Sequence, residues 1–267
     1  MLISNITMQQ SKRNHPNSDF FDQIDSEIKS YWLGFLYADG SVGTSRNCIR
    51  PDTLTVKLQY RDSEHLLKLA SIFSRKIKLT NSRFNGKIYP QVVFRLFSIY
   101  LCNALISKGI VPRKTFIDSD VISHIPNNLL HHFIRGNMDG DGCICRFQNH
   151  GKTRYRVDWL GRKKFIENLQ KVFINKFSRE DFYSAQISSI SRLSISDTCK
   201  IKEVLDWIYT DATIFLERKY AKYVLFNTEF TELMTPPPLL RKHQGCRKGV
   251  INSWKTRKRL ALRRTHW

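Results

Sequence analysis

Residues 133–144 read FIRGNMDGDGCI, an apolar-looking helix that ends in two aspartates, Asp139 and Asp141, alternating with glycines. A helix C-terminus carries the negative end of the macrodipole, which disfavours a carboxylate by roughly 0.3–1 kcal/mol. The stretch has an earlier relative, YWLGFLYADGSV at residues 31–42. Aligning Gly34 with Gly136, Asp39 with Asp141 and Gly40 with Gly142 sets the two copies 102 residues apart.

The segments downstream of the two copies match as well. LTVKLQ (54–59) alternates, with Leu54, Val56 and Leu58 on one face and Thr55, Lys57 and Gln59 on the other. RYRVDW (154–159) does the same. Period-two alternation predicts half-buried strands. Amphipathic helices come next, at 62–73 and 163–173. YPQVVFRLFS (89–98) and AQISSISRLSIS (185–196) read as hairpin strands, and helices at 100–109 and 199–209 close the halves. The unit is helix, two strands, helix, two strands, helix, written twice. This predicts an α+β fold of two pseudo-twofold-related αββαββα repeats with antiparallel sheets. The segments are an N-terminal extension (1–21), a first repeat (22–122), a second repeat (123–234) and a basic tail (235–267). The repeats join in VISHIPNNLL (121–130), where Pro126 and Asn127 break the pattern.

Lysine and arginine outnumber acids 44 to 23, a formal charge of +21 in 267 residues, and 41% of the chain is hydrophobic. That suffices for a packed core and points to a polyanionic partner, nucleic acid before membrane. The tail from 239 to 267 holds ten Lys/Arg and no acid. Six scattered cysteines without a CxxC pair speak against a disulfide framework or a zinc finger and for a reducing compartment. The first residues lack the apolar core of a secretory signal. The expected location is an organelle or a bacterial or phage-infected cytoplasm.

Gly34 and Ala38 lie four apart, as do Gly136 and Gly140, so each helix carries a stripe of small residues on one face. Such stripes let two backbones approach, and in a duplicated chain the partner is the other copy. Gly40 and Gly142 are expected to end the helices in the left-handed conformation. Asp39 and Asp141 then emerge side by side. Two carboxylates that close repel, and a divalent cation removes the conflict. Their oxygens, with the main-chain carbonyls of Ala38 and Gly140, suit Mg²⁺.

WLGFLYADG (32–40) and IRGNMDGDG (134–142) resemble the two signature helices of the LAGLIDADG homing endonucleases, in the single-chain form with two motifs. The resemblance spans roughly residues 22–230. Tyr37 departs from it in the first copy, Arg135 and Asn137 in the second, and none of these replaces the acid at Asp39 or Asp141. It implies a saddle of antiparallel sheets that grips double-stranded DNA. It implies Mg²⁺-dependent hydrolysis of both strands at a long site, leaving short 3′ overhangs. Mn²⁺ would substitute for Mg²⁺, and Ca²⁺ would support binding without cleavage. It also implies a lysine beside each acid: Lys114 in GIVPRKTF and Lys219 in IFLERKYAKY, 75 and 78 residues after Asp39 and Asp141. Gln59 or Arg61 would organise water in the first copy, with Leu160 or Arg162 a looser match in the second.

DNA reading would fall to the outward strand faces. The candidates are Arg46, Arg50, Lys57, Gln59, Arg61, Arg83, Lys87, Gln91 and Arg95 in the first repeat. In the second they are Gln148, Lys152, Arg154, Arg156, Gln186, Ser188 and Arg192. Arg and Lys favour guanine and Gln favours adenine in the major groove. Because the halves differ, the expected enzyme is a monomer with an asymmetric target and no membrane partner. Two alternatives share the scaffold: an intron RNA maturase and a non-catalytic DNA-binding regulator. A pure binder has no use for clustered acids near phosphate, which weighs against the regulator.

Overall fold

The computed structural model describes residues 16–46, 48–178, 182–187 and 189–234, without the side chain of Thr115. Ser188 and the basic tail lie outside the described residues. The first repeat is α1 (Glu27–Asp39), β1 (Gly40–Gly43), β2 (Thr53–Gln59), α2 (Ser63–Ile72), β3 (Lys78–Phe84), β4 (Lys87–Phe97) and α3 (Ile99–Ser107). The second is α4 (Leu130–Gly140), β5 (Cys143–Asn149), β6 (Lys152–Gly161), α5 (Lys163–Phe177), β7 (Ser184–Ile187), β8 (Ile190–Ile195) and α6 (Thr198–Tyr209). A further helix, α7 (Glu217–Met234), comes last. Both repeats lie in one compact unit, Met1–Glu229. The strand orders, β1-β2-β4-β3 and β5-β6-β8-β7, are the same and wholly antiparallel. The predicted α+β duplication is the observed fold.

Each sheet buries one face under its own helices. In β2, Leu54, Val56 and Leu58 are buried while Lys57 and Gln59 are exposed. In β6, Tyr155, Val157 and Trp159 are buried. α2 and α3 pack on the first sheet, α5 and α6 on the second. The outer hairpins run past this cover: β3 is almost wholly exposed, as are β7 and the first residues of β4. They are two-stranded ribbons solvated on both faces. Among the described residues, no helix is long and apolar enough to cross a membrane.

The halves meet through α1 and α4. A Cβ on Gly34 would stand 2.0 Å from the Phe133 carbonyl oxygen, and one on Gly136 would stand 2.0 Å from that of Tyr31. Only hydrogen fits at either place, so the small-residue stripe is the seam. The helix-ending glycines are needed for a different reason from the expected one. Gly40 is extended (φ −78°, ψ 148°), and Gly142 is not among the positive-φ residues. Space decides instead: a Cβ would lie 2.6 Å from the Leu36 oxygen at Gly40 and 2.7 Å from the Met138 Cα at Gly142.

Candidate active site

The seam carries two acids to the same end. Asp39 closes α1, and Asp141 caps α4. The Asp39 carboxylate lies beside Gly140, where an added Cβ would be 3.3 Å from its Oδ2. Among the described residues neither carboxylate receives a hydrogen bond. Burial, and then the charge of Asp141, pushes Asp39 up to about 6. Burial likewise raises Asp141, against the pull of Lys114 and Lys219.

Asp139, two residues before Asp141, has the opposite environment. It is fully buried and accepts hydrogen bonds from Tyr31 Oη (2.8 Å), Tyr209 Oη (2.6 Å) and the Leu216 amide (2.7 Å). The two acids of the DGDG stretch therefore divide the work: Asp139 ties α4 to α1, α6 and the start of α7, and Asp141 faces outward.

Each lysine caps the signature helix of its own repeat. Lys114 follows α3 in a single 3₁₀ turn whose preceding residue, Arg113, is left-handed (φ 55°). Its Nζ donates to the carbonyls of Leu36 (2.8 Å), Ala38 (2.7 Å) and Tyr37. Burial lowers it to about 8, opposed by Asp141 and Asp39. Lys219, in the first turn of α7, donates to the carbonyls of Met138 (3.2 Å) and Gly142, on either side of Gly140. Burial and then Arg218 lower it. The Ala38 carbonyl, expected to be free for a metal, is thus shared with an ammonium.

A cavity of ≈ 240 Å³ opens here, lined among others by Tyr37, Lys114, Asn137, Asp141 and Arg162. Arg162 pairs with Asp118 at 3.4 Å. Gln59 and Arg61 are exposed at the end of β2 and in the turn after it. One charge escaped the sequence reading: Arg218, bonded to Asp62 at 3.0 and 3.2 Å, reaches Asp39 electrostatically. Its only signal was adjacency to Lys219. The donor set for a cation is all oxygen, with two carboxylates that lack protein donors, and that fits a hard divalent ion.

Strand register sorts the remaining candidates. Lys57, Gln59, Gln91 and Arg95 share the outward face of the first sheet with Lys87. Lys152, Arg154, Arg156 and Arg192 share that of the second. Arg46 and Arg50, expected on a strand face, lie instead between β1 and β2, where both are exposed, because β1 ends at Gly43 and β2 begins only at Thr53. Arg83, Gln148 and Gln186 pair with Ile88, Thr153 and Ser191, on the opposite face from the one expected. A shift of one residue in the strand frame reverses the face, and these three fall on that side of the alternation. They are exposed because the ribbons there outrun the core.

No protein-family model matches the sequence, and no curated protein matches it. Solved structures share its fold. I-GzeII, a LAGLIDADG homing endonuclease in complex with its DNA target, is 12% identical, with a TM-score of 0.52 over 76% of this chain and 90% of that one. The meganuclease I-SmaMI bound to uncleaveable DNA is 12% identical, with a TM-score of 0.53 over 77% and 91%. The LAGLIDADG meganuclease I-AabMI bound to uncleaved DNA is 14% identical, with a TM-score of 0.52 over 78% and 91%. The chain has the LAGLIDADG homing endonuclease fold, in the form that carries both repeats on one polypeptide.

Proposed function

We propose that this protein is a site-specific DNA endonuclease that hydrolyses one phosphodiester bond in each strand of a long, asymmetric target, leaving short 3′ overhangs. The observation that carries the reading is the meeting of Asp39 and Asp141 at one end of two interlocked helices, where among the described residues neither carboxylate receives a hydrogen bond and Lys114 and Lys219 flank them. Clustered acid next to a phosphate-binding surface destabilises plain binding; it has a use in cutting.

Asp39 and Asp141 would hold Mg²⁺, or Mn²⁺ in its place, which when bound supplies activation of water and charge neutralisation at the leaving oxygen. The two lysines would stabilise the added negative charge of a five-coordinate phosphate. Both now donate to main-chain carbonyls, bonds that they would exchange for phosphate oxygens. Arg162, which lines the same cavity, would contact the flanking backbone.

The outward sheet faces and solvated ribbons would read the duplex. A two-stranded ribbon enters the major groove of B-DNA. The major groove of an RNA duplex is too deep and narrow to admit it, which favours DNA. The first ribbon also exposes Phe84, beside Lys87 on the outward face, suited to a thymine methyl. The two faces differ in sequence, so the target is asymmetric and one chain suffices.

A library of duplex targets incubated with the protein tests this. Cleavage is expected with Mg²⁺ and binding alone with Ca²⁺. Cutting by Asp39→Asn or Asp141→Asn at the rate of the unaltered protein would sink the reading.

A further inference from the structure

At the opposite end of α4 from Asp141, about 15 Å away at 1.5 Å per residue, three ligand-type side chains converge. His131 and His132 open the helix, and Asp211 follows α6. One ligand atom from each lies within 4.8 Å of the other two. The His131 Nε2 is 3.0 Å from the Asp211 Oδ2. Successive residues on a helix point about 100° apart and do not face one another, yet these two ring centroids lie 3.7 Å apart, with the planes tilted by 39°. His132 is 7% exposed, and its Nδ1 is buried without a hydrogen-bond partner. An orphaned, buried imidazole nitrogen is costly unless something else uses that ring.

We propose that His131, His132 and Asp211 form a binding site for one borderline divalent transition metal, Zn²⁺ in the first place. Imidazole and carboxylate in this proportion suit Zn²⁺, Co²⁺ or Ni²⁺, whereas Mg²⁺ takes oxygen ligands. Asp211 is 58% exposed on its side chain, so the site opens to solvent and leaves room for a water as the fourth ligand. The nearest fixed cation, Arg135, is 3.9 Å from the other Asp211 oxygen, but Glu27 holds it at 2.5 Å. Glu27, Asp211 and Arg135 together carry one net negative charge before a metal arrives.

The repeat provides a control within the chain. The positions aligned with His131 and His132 are Lys29 and Ser30. Lys29 pairs with Asp25 at 3.0 Å, and Ser30 donates to the Leu129 carbonyl at 2.8 Å. An ammonium there excludes a cation, so the site belongs to the second repeat alone. It would tie the start of α4 to the turn after α6.

The test uses the full chain, stripped with a chelator and titrated with CoCl₂ while visible absorption and melting temperature are read. The expected result is a saturating d–d spectrum at about one Co²⁺ per chain, bleached by ZnCl₂, with a rise in melting temperature. His131→Ala, at a partly buried side chain, and Asp211→Asn, at an exposed one, both checked by circular dichroism, should weaken binding at least about tenfold. The Asp39→Asn, Asp141→Asn double variant should bind Co²⁺ as before, which separates this site from the proposed nuclease centre. Absence of the spectrum, or its survival in a folded Asp211→Asn protein, overturns the proposal.

Discussion

Tyr209 donates a 2.6 Å hydrogen bond to Asp139, completing three donors around a carboxylate that is wholly buried. Two residues on, Asp141 receives none among the described residues. The near-identical pair in the sequence therefore divides into a structural acid and an outward one. Asp139→Ala would leave two hydroxyls and an amide without their acceptor, at a cost of about 3 kcal/mol or more. The expected outcome is a melting temperature lower by several degrees with or without divalent ions. Asp141→Asn should not lower the melting temperature, should keep DNA affinity and should lose cleavage. Thermal melts paired with a nicking assay separate the two; a destabilised Asp141→Asn with normal cutting would reverse the assignment.

Gly34 and Gly136 carry the seam, and what a Cβ would strike there is main chain, which cannot turn aside. Gly34→Ala must push α1 and α4 apart, at about 3 kcal/mol. In a unit this size that is a drop of roughly 6–12 °C. Gly43, where nothing lies within 4 Å of the added carbon, is the matched control, and Gly43→Ala should stay within about 0.5 kcal/mol. Differential scanning calorimetry of both variants decides it.

Asp39 has a pH signature. Its folded value, about 6, is above the 3.8 of a free side chain, with burial the first cause and Asp141 the second. Below about pH 4 the group is protonated in both states and costs nothing. Between about 4 and 6 the unfolded chain ionises first, so folding stability falls as pH rises and stays lower above 6. Asp39→Asn removes that loss, though it also removes the attraction of Lys114. With divalent ions chelated, the variant should be about 1–2 kcal/mol more stable at pH 7.5, with no gain at pH 4. An equal gain at both pH values would mean that ionisation is not the cause.

The order of elements was legible because periods of 2 and 3.6 are local properties. The seam was legible because two small-residue stripes were spaced alike. The role of Gly40 and Gly142 was not, since a sequence shows that glycine stands there but not whether a dihedral or a neighbour requires it. The faces of Arg83, Gln148 and Gln186 were misjudged where the ribbons leave the core and no buried partner marks the alternation. Asp139 read as half of an acidic pair because its donors, Tyr31 and Tyr209, lie 108 and 70 residues away. Arg135 read as a mere departure from the motif; its partner Glu27 is 108 residues distant.

Arg135 and Glu27 form a buried pair that a double-mutant cycle can measure. Arg135 is fully buried, donates to the carbonyls of Ile208 (2.7 Å) and Ile214 (3.0 Å), and meets Glu27 at 2.5 Å. Glu27 also accepts from the Thr213 amide and hydroxyl, both at 2.8 Å. Removing one member leaves the other charge uncompensated, so Glu27→Ala or Arg135→Met should each cost about 3–5 kcal/mol. The double variant should cost clearly less than the sum. Additive losses in urea melts would show that the two act independently.

Lys57 and Arg83 test which surface meets DNA. Lys57 stands in a row with Val93 and Lys78 across the outward face of the first sheet, and Arg95 is opposite Thr55 in the next row. Arg83 faces Ile88 on the other side of the ribbon. A side chain on the reading face either contacts a base, where truncation costs about 1–3 kcal/mol and relaxes specificity, or a phosphate, where it lowers the salt slope by about one. Lys57→Ala and Arg95→Ala should therefore weaken DNA binding by about tenfold, and at least one should relax a base preference. Arg83→Ala should relax none, whatever it does to the salt dependence. Binding to the selected target and to single-base variants, measured with Ca²⁺ at two salt concentrations, distinguishes the faces: if Arg83→Ala alone broadens the sequence preference, the ribbon meets the duplex with its other side.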